Sequence, residues 1–381
     1  MAGALDGLVV LDLSRILAGP TATQMLGDLG AKVIKIENPK TKGDDTRTWG
    51  PPFVEGKPDL STYFLSANRN KLSVAIDITT PEGQAQLKAL AAQADILVEN
   101  YKVGGLAKYG LDHASLCAAH PALIYCSITG FGQTGPNANK PGYDLMAQGF
   151  GGIMSITGAE GGEPMKVGVA VADVVCGLYA SVGILAALHH RTETGQGQHI
   201  DVGLVDTQMA WLINQATGYL QTQNVPVRKG NAHPNIVPYQ VFEARDGYVI
   251  LAVGNDSQFR RCVAWLGAQG LADSPDYATN SARLANRDTL VTTLSALFKT
   301  HTVGAIITGL EGVGVPVGPV NTLEDALTSD QAKAREMVID MDGLKLLGNP
   351  LKLSRTPVSY RSPPPRFGQD TDEVLDGLDP I

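Results

Sequence analysis

Asp173 is the residue of this sequence whose surroundings most suggest chemistry. It lies in the segment KVGVAVADVVCG at residues 166–177, at the start of a long apolar stretch and after a glycine-rich loop. Removing a carboxylate from water is costly unless the group is stabilised or neutralised. Two interpretations follow. Asp173 either caps a helix N-terminus, where N–H donors and the helix dipole stabilise an anion, or it is a poorly solvated, ionised carboxylate that attacks an acyl group to form a covalent intermediate.

The residues around Asp173 are compatible with the second interpretation. Gly161, Gly162 and Gly168 can present backbone N–H groups to an oxyanion. Tyr143 and Asp144 precede the glycine-rich stretch and add a phenol and a second acid. These residue types define a candidate acyl-transfer site, but they do not identify a substrate.

Several other classes of site are excluded by their motifs. The segment GFGQTG at residues 130–135 matches a dinucleotide-binding loop, but the prolines and asparagines at residues 136–142 cannot form the helix that binds the phosphates. No GxSxG, Walker A, HExxH or EF-hand spacing occurs. The four cysteines share no spacing with histidines. We therefore expect no metal and no tightly bound cofactor.

Composition sets the broad class. A chain of 381 residues that is 44% hydrophobic and 18% charged is an ordinary globular protein rather than a disordered or collagen-like one. The net charge of -8, without a basic run, gives little support to nucleic-acid or membrane binding. Asp6 and Asp12 interrupt the N-terminal apolar stretch, so we expect no signal peptide and a reducing, cytoplasmic location. Residues 167–188 are long enough to span a membrane, but the amphipathic sequence around them favours a core helix.

The elements that position Asp173 follow from hydrophobic periodicity. Short apolar runs predict strands, and they alternate with helical spacing, which predicts an α/β fold with a doubly wound parallel sheet. After a polar stretch at residues 221–238, a hairpin at 239–253 and several helices predict a smaller α+β domain. The predicted strands of the first part are residues 8–13, 31–37, 72–78, 95–99, 123–128 and 199–202, with helices at 21–29, 81–94 and 206–220.

Seven short blocks of the sequence carry a family resemblance: LDG at 5–7, VLD at 10–12, AGP at 18–20, LGDLGAKVIKIE at 26–37, NK at 70–71, VENY at 98–101 and GQGQ at 195–198. With these blocks the sequence resembles, over nearly its whole length, the family III CoA-transferases, the CaiB/BaiF group. The catalytic aspartate of that family falls on Asp173. The resemblance therefore favours the nucleophile over the helix cap.

The resemblance implies transfer of CoA between carboxylic acids. In that mechanism the aspartate attacks a donor thioester, a mixed anhydride and then an aspartyl-CoA thioester form, and the acceptor acid reverses these steps. The phosphates of CoA need placed cations in an acidic protein. The CoA contacts that the resemblance implies are Leu17, Ala18, Asn38, Lys71, Leu72, Asn100, Tyr101, Lys108 and Lys140.

The resemblance also indicates an acceptor site. Arg47, as partner of a distal carboxylate, and Trp49 are expected to line it, and Gly230, Asn231 and His233 belong to a mobile loop over the intermediate, where a structural role for His233 is equally open. The segment at residues 230–240 is most similar to succinyl-CoA-dependent dicarboxylate CoA-transferases. Formyl-CoA:oxalate and carnitine-type transferases, a non-catalytic CoA-binding protein, and a 2-methylacyl-CoA racemase are the alternatives. Such racemases carry a histidine base where this chain has Tyr143, and a phenol is a poor base at neutral pH.

Architecture is the last implication of the resemblance. Members of this family form homodimers of two interlocked rings, in which both ends of the chain build the large domain. We therefore expect a large Rossmann-like CoA-binding domain from residues 1–205 and 325–381, a linker at 206–230, and a small α+β domain at 231–324.

Overall fold

The computed structural model describes residues 3–378 of the chain. Its strands are β1 (Val9–Asp12), β2 (Lys32–Glu37), β3 (Phe53–Val54), β4 (Lys57–Ser61), β5 (Lys71–Ala75), β6 (Ile96–Glu99), β7 (Ile124–Thr129), β8 (His199–Gly203), β9 (Tyr239–Ala244), β10 (Gly247–Ala252), β11 (Val317–Pro319), β12 (Val338–Met341) and β13 (Leu344–Leu347). Its α-helices are α1 (Ala18–Asp28), α2 (Thr62–Leu65), α3 (Pro81–Gln93), α4 (His113–Ala119), α5 (Asp144–Phe150), α6 (Ile153–Ile156), α7 (Val171–Thr194), α8 (Leu204–Ala210), α9 (Ile213–Thr222), α10 (Asp256–Trp265), α11 (Gly270–Asp273), α12 (Asn280–Ala285), α13 (Arg287–Phe298), α14 (Val303–Gly312), α15 (Leu323–Thr328), α16 (Asp330–Ala334) and α17 (Thr371–Asp376).

A six-stranded parallel sheet with helices on both faces confirms the predicted α/β class. The strand order is β5-β2-β1-β6-β7-β8, and every pairing in it is parallel. Alternate residues of the strands supply the two cores. One core includes Val10, Val98 and Ile184 of α7, and the other includes Leu11, Leu97 and Leu87 of α3. This alternation follows from the two-residue period of a strand.

The order of the strands reverses between β1 and β6. The chain passes from β1 to β2 and β5 on one side, and then continues from β6 to β8 on the other side. In open parallel sheets, the crevice at the carboxyl ends of the two strands flanking such a reversal is the usual ligand site. The turns that follow β1 and β6 lie at this crevice.

Helix α7 contains most of the apolar segment at residues 167–188. By length and hydropathy it could cross a membrane, as could the bent pair of helices at residues 287–312 if it formed one span. In the structure α7 packs against α1, β7 and β8. Gly177 makes this packing close, because a Cβ there would lie 2.6 Å from the carbonyl oxygen of Ala18. The helix is thus a core element that brings Asp173, in its first turn, beside the start of α1.

Contacts between Cα atoms divide the chain into two compact units. The large unit comprises the chain up to Met154, Lys166–Asn224, and the chain from Asp330 onward. The small unit comprises Ser155–Met165 and Val225–Ser329. In the small unit an antiparallel sheet of order β11-β10-β9 packs its inner face on a separate core that includes helices α10, α13 and α14. Helices α8 and α9, in the range expected to be a linker, belong to the large unit.

Candidate active site

A cleft of about 450 Å³ opens at the reversal point of the sheet. All its lining residues belong to the large unit. Most of them come from the turn after β1, the segment after β6, the loop between β7 and α5, and the first turn of α7, and the others follow β2 and β5 or begin α8. The glycine motif at residues 130–135 opens that loop, and the next helix begins only at Asp144, so no helix N-terminus follows the motif. The site is therefore the crevice expected for a doubly wound sheet, without a dinucleotide-binding loop.

The charges of the cleft are unlike those of the whole protein. Asp173 is the one acidic residue among the described lining residues. The basic residues are Arg15, Lys102, Lys108 and Lys140. A protein with a net charge of -8 thus lines this cleft with four basic side chains, of which Arg15 also pairs with Asp45 at 2.7 Å, and with a single carboxylate among the described lining residues. Such a cleft suits a polyanionic ligand whose reacting end meets Asp173.

Most of the expected CoA contacts lie on this cleft. The lining residues among them are Leu17, Ala18, Asn38, Asn100, Tyr101, Lys108 and Lys140. Tyr143 also lines it, with a largely exposed side chain. Arg15 was missed by sequence reasoning. The sequence did offer a signal for Arg15, because it lies in the turn after β1 and the carboxyl end of a strand next to the reversal faces the crevice.

Lys71 and Leu72 do not lie on the cleft, which corrects the expectation that they contact CoA. The Lys71 side chain is fully buried, and its Nζ donates to Asp12 Oδ2, the Pro20 carbonyl and Asn68 Oδ1, each at 3.0 Å. An ammonium group with all three protons engaged has none left for a phosphate. Leu72 packs against the sheet core. The ion pair between Lys71 and Asp12 joins β5 to β1.

Arg47 is also a buried structural residue rather than an exposed partner for a substrate. Its Nε donates to Glu37 Oε1 at 2.8 Å and its Nη2 to Glu37 Oε2 at 2.6 Å, a bidentate pair. The guanidinium also lies 3.8 Å over the ring of Phe64. Its donors are used inside the protein, so the structure does not support its expected role in binding the acceptor acid. Trp49, by contrast, is partly exposed, and its ring meets that of Tyr63 edge to face at 5.1 Å.

Asp173 occupies the third position of α7, and Ala170 is the N-cap. The alternative interpretation, in which Asp173 itself is the N-cap residue, is therefore wrong. The capping carboxylate is Asp144, whose Oδ1 accepts a hydrogen bond of 2.8 Å from the Ala172 N–H and whose Oδ2 accepts one of 2.7 Å from Gln148 Nε2. Asp144 thus takes the structural role and leaves the Asp173 carboxylate free to face the cleft.

The Asp173 carboxyl has an unusual protonation equilibrium. Burial, with a smaller contribution from the negative charge of Asp144, raises its pKa to about 7. Within residues 3–378 no hydrogen bond to this carboxylate lowers the pKa. The positive end of the α7 dipole favours the ionised form. Asp173 is therefore a weakly solvated carboxylate that is substantially ionised near neutral pH, which is the condition of an activated carboxylate nucleophile.

Tyr63 is a second residue that sequence reasoning missed. Its side chain is half-buried on α2, and burial, followed by the negative charges of Asp173 and Asp144, raises the pKa of its phenol. The phenol therefore stays protonated near Asp173. No sequence pattern links the two residues, which are far apart in the chain.

The turn after β1 has a strained backbone. Ile16 lies in the left-handed region with φ of 73°, which is unfavourable for a β-branched residue. Its N–H donates to both carboxylate oxygens of Asp44 at 3.2 Å, and Lys35 Nζ donates to the Ser14 carbonyl at 2.9 Å. Strain of this kind concentrates at functional sites. Here it shapes the wall of the cleft.

The remaining candidate residues belong to the small unit or to its border. The Gly162 N–H donates to the Ala159 carbonyl and the Gly230 N–H to the Gly158 carbonyl, each at 3.0 Å, so neither is available to an oxyanion in this structure. Gly161, Gly168 and Asn231 do not line the cleft described above. The Nδ1 atom of His233 accepts from the Asn235 N–H at 3.1 Å, and burial, together with Arg287, lowers the pKa of the ring. His233 is engaged in holding its own loop.

Comparisons with known proteins identify the class of this fold and site. The family model described as CoA-transferase family III matches residues 5–371. The chain belongs to this family, as the matching blocks predicted. The structure is similar to the crystal structure of a CaiB/BaiF family protein from Brucella suis, with a TM-score of 0.90 and 48% identity over the full length of both chains.

Relatives with named activities are similar to this chain over nearly its full length. The chain is 48% identical over 385 residues to succinate–glutarate CoA-transferase of Agrobacterium fabrum, covering 99% of this chain and 96% of that protein. It is 43% identical over 376 residues to the succinyl-CoA:glutarate CoA-transferase of Homo sapiens, covering 97% of this chain and 85% of that protein. CoA transfer is thus the reaction class of this enzyme.

Proposed function

We propose that this enzyme transfers CoA from succinyl-CoA to a dicarboxylic acid, with glutarate as the first candidate, through covalent intermediates on Asp173. The observation that carries the proposal is the cleft in which Asp173 is the one carboxylate among four cations. The named activities of the relatives supply the substrate class. No part of the reaction changes the oxidation state of any atom.

In the first half of the reaction, an Asp173 oxygen attacks the thioester carbonyl of the donor. The carbon–sulfur bond breaks, CoA leaves as a thiolate, and a mixed anhydride joins Asp173 to the donor acyl group. The thiolate then attacks the Asp173 carbonyl carbon. The donor leaves as a free carboxylate that carries one former Asp173 oxygen, and an aspartyl-CoA thioester remains.

In the second half, a carboxylate oxygen of the acceptor attacks the aspartyl thioester and releases the thiolate again. The new anhydride joins Asp173 to the acceptor acyl group. Attack of the thiolate on the acceptor carbonyl forms the product thioester and regenerates the Asp173 carboxylate with one oxygen from the acceptor. Each step exchanges one acyl bond for another, so electrons and charge balance without a net proton transfer.

The burial of Asp173 supports its role as nucleophile. A carboxylate that is poorly solvated loses less hydration when it attacks the thioester carbonyl. The thiolate that leaves stays in the cleft because the rest of the CoA molecule remains bound there, so it can return to attack the anhydride. For the phosphates of CoA, we propose Arg15, Lys102, Lys108 and Lys140 as the binding residues. Asn38, Asn100 and Tyr101 complete the walls.

The acceptor remains the least defined part of the site. Trp49 and Tyr63 form an aromatic pair, and the charge of Asp173 affects the Tyr63 phenol, so we propose this pair as one wall for the acyl groups. Tyr143 stands where racemases of this fold carry a histidine, and its side chain is largely exposed. A panel of acceptor acids that includes oxalate and carnitine, each tested with succinyl-CoA, would distinguish these alternatives from glutarate.

We also propose that the enzyme is a homodimer with interlocked chains. Support comes from exposed apolar side chains on four helices of the large unit: Leu145, Met146 and Phe150 on α5, Leu178, Tyr179, Val182 and Leu185 on α7, Met209 on α8, and Ile213 and Leu220 on α9. A surface this apolar is unusual on a monomer. Light scattering measures the mass, and Val182→Asp should weaken association while Leu353→Asp, a matched exposed position, should not.

The domain limits and the location are part of the same proposal. We propose a large CoA-binding domain that contains both ends of the chain, with the small α+β domain inserted between them. The compact units support an inserted domain, although they begin it with Ser155–Met165 as well as Val225–Ser329. We propose a reducing, cytoplasmic location, which agrees with four cysteines that are free thiols.

Covalent trapping tests the proposed function. The enzyme is mixed with succinyl-CoA, treated with hydroxylamine or borohydride, and analysed by intact mass and peptide mapping. We expect a modification on the peptide that contains Asp173. Asp206→Asn is a matched control, because Asp206 also occupies the third position of a helix and also has a raised pKa, caused by burial and Asp201. The proposal fails if no acyl-CoA donor modifies Asp173, or if Asp173→Asn is modified as the wild type is.

A further inference from the structure

Glu99 is a buried carboxylate that the proposed mechanism does not use. It lies at the end of β6 and is 5% exposed. It is absent from the lining of the CoA cleft and instead lines a second cleft of about 450 Å³ on the other side of residues 102–105. Burial raises its pKa to about 7, although Ser127 and the Tyr101 N–H lower it. An apolar residue would fill this position at less cost.

The backbone contact of Glu99 points toward the CoA cleft. Its Oε2 accepts a hydrogen bond of 2.7 Å from the Tyr101 N–H. Between them, Asn100 is joined to the turn after β1 by two hydrogen bonds. The Arg15 N–H donates to Asn100 Oδ1 at 2.9 Å, and Asn100 Nδ2 donates to the Arg15 carbonyl at 2.7 Å. The two walls at the reversal point are therefore connected to each other and to Glu99.

On the β7 side, Glu99 adjoins a group of polar side chains. Ser127 is its register partner on β7, and the Ser127 hydroxyl lies 3.0 Å from His199 Nε2. The His199 ring stacks on the His113 ring, with centroids 3.8 Å apart and planes at 2°. Burial, with His113, lowers the pKa of His199 and so favours a neutral ring. This packing leaves the Glu99 side chain little freedom of movement.

We propose that Glu99 is a positioning residue for the CoA thioester. Through the Tyr101 N–H it fixes the turn after β6 against Arg15, and thereby sets the affinity of the cleft for the CoA moiety. The proposal rests on the proposed function, since it takes the cleft at the reversal point as the CoA site. Glu99 touches no reacting atom in it.

Steady-state kinetics of Glu99 variants test this role. Glu99→Ala removes the acceptor of the Tyr101 N–H, and we expect the KM for the CoA thioester to rise about tenfold. The KM for the acceptor acid and kcat should stay within about threefold, because neither depends on that turn. Glu99→Gln keeps an oxygen that accepts from Tyr101, so it should restore the thioester KM to within about twofold of the wild-type value. Glu82→Ala, at an exposed glutamate of α3, is the control.

Folding of each variant is checked by circular dichroism and thermal unfolding. If Glu99→Ala does not fold, Ser127→Ala takes its place, since it loosens Glu99 without removing the carboxylate, and we expect a rise of about threefold in the thioester KM. An unchanged thioester KM in the folded variant, or a failure of Glu99→Gln to restore it, overturns the positioning role. Full exchange by Asp173→Asn would instead overturn the proposed function, so the two failures are distinguishable.

Discussion

Two sets of buried carboxylates in the large unit differ in what neutralises them. Asp12, Asp44 and Glu37 lie beneath the cleft and are paired with Lys71, Lys35 and Arg47. Burial acts to raise the pKa of each acid, but these cations more than offset it, and the pKa of Asp12 is held at about 2.

Asp173, in the CoA cleft, and Glu99, in the second cleft, show no such cation among the described residues, and burial raises the pKa of both to about 7. The difference shows which buried carboxylates can change protonation near neutral pH. A paired carboxylate keeps its charge and stabilises the frame, whereas burial shifts the pKa of an unpaired one, such as Asp173 or Glu99, toward neutrality.

Removing the unpaired carboxylate should have the largest effect. We expect Asp173→Ala and Asp173→Asn each to reduce CoA exchange by at least roughly a thousandfold while leaving the fold intact, because no other described residue that lines the cleft carries a carboxylate to form the anhydride. Chromatography of the CoA products measures it. Asp206→Asn should stay close to wild-type turnover. Near-normal exchange by either Asp173 variant would contradict the comparison.

Breaking a paired carboxylate should affect stability instead. Arg47→Ala leaves Glu37 buried without its partner, which should lower the free energy of unfolding by about 3–5 kcal/mol. Urea denaturation measures this loss, and Arg355→Ala is a control at an exposed arginine. For the fraction that remains folded, the KM for the acceptor acid should be unchanged. If Arg47→Ala is stable and has a raised KM for the acceptor acid, Arg47 binds the acceptor after all.

The pH dependence of stability sharpens the contrast. Asp173 has a folded-state pKa of about 7 against an ordinary value of 3.8, so between these pH values the folded state holds a proton that the unfolded state has lost. Its contribution to stability therefore falls as pH rises from about 4 to about 7 and then levels off.

Asp173→Asn removes this titration. Relative to wild type it should gain up to about 4 kcal/mol of unfolding free energy at pH 8 and little at pH 4. Urea unfolding of both proteins at the two pH values measures the gain. If the difference in unfolding free energy between Asp173→Asn and the wild type were the same at both pH values, burial would not raise the pKa of Asp173.

The smallest effect is expected from single cations of the cleft. Lys108→Ala and Lys140→Ala should each raise the KM for the CoA thioester about threefold to tenfold, with less effect at high salt, because exposed charges are screened. Initial rates at two salt concentrations measure it. Lys345→Ala, an exposed lysine on β13, should change neither value. No change with Lys108→Ala and Lys140→Ala together would remove them from the CoA site.

Local signals explain which features could be predicted from the sequence. Apolar periodicity located the six parallel strands to within a few residues. The helix predicted at residues 81–94 is α3, whose N-cap Thr80 accepts from the Gly83 N–H at 3.1 Å through its Oγ1. Asp173 stood out because a charge in an apolar run is locally visible. Such features depend on residues close together in the chain.

The features that sequence reasoning missed depend on partners distant in the chain. Whether Lys71 or Lys108 is free to bind a phosphate depends on which residues face it in the folded chain. Lys71 lies on β5, two strands from β1, and its side chain pairs with Asp12 of β1. Asp144 caps α7 from another helix, 28 residues away. No pattern of neighbouring residues reports these contacts, because tertiary packing creates them.

Transfer of a heavy oxygen isotope tests the central claim most directly. The acceptor acid is labelled in its carboxylate oxygens, turned over with succinyl-CoA in ordinary water, and the enzyme is then digested and its peptides weighed. The mechanism leaves one acceptor oxygen in the carboxylate of Asp173 at each turnover, so the Asp173 peptide should become heavier and the Asp206 peptide should not. Rapid exchange between the two acids with no label on Asp173 would contradict the account.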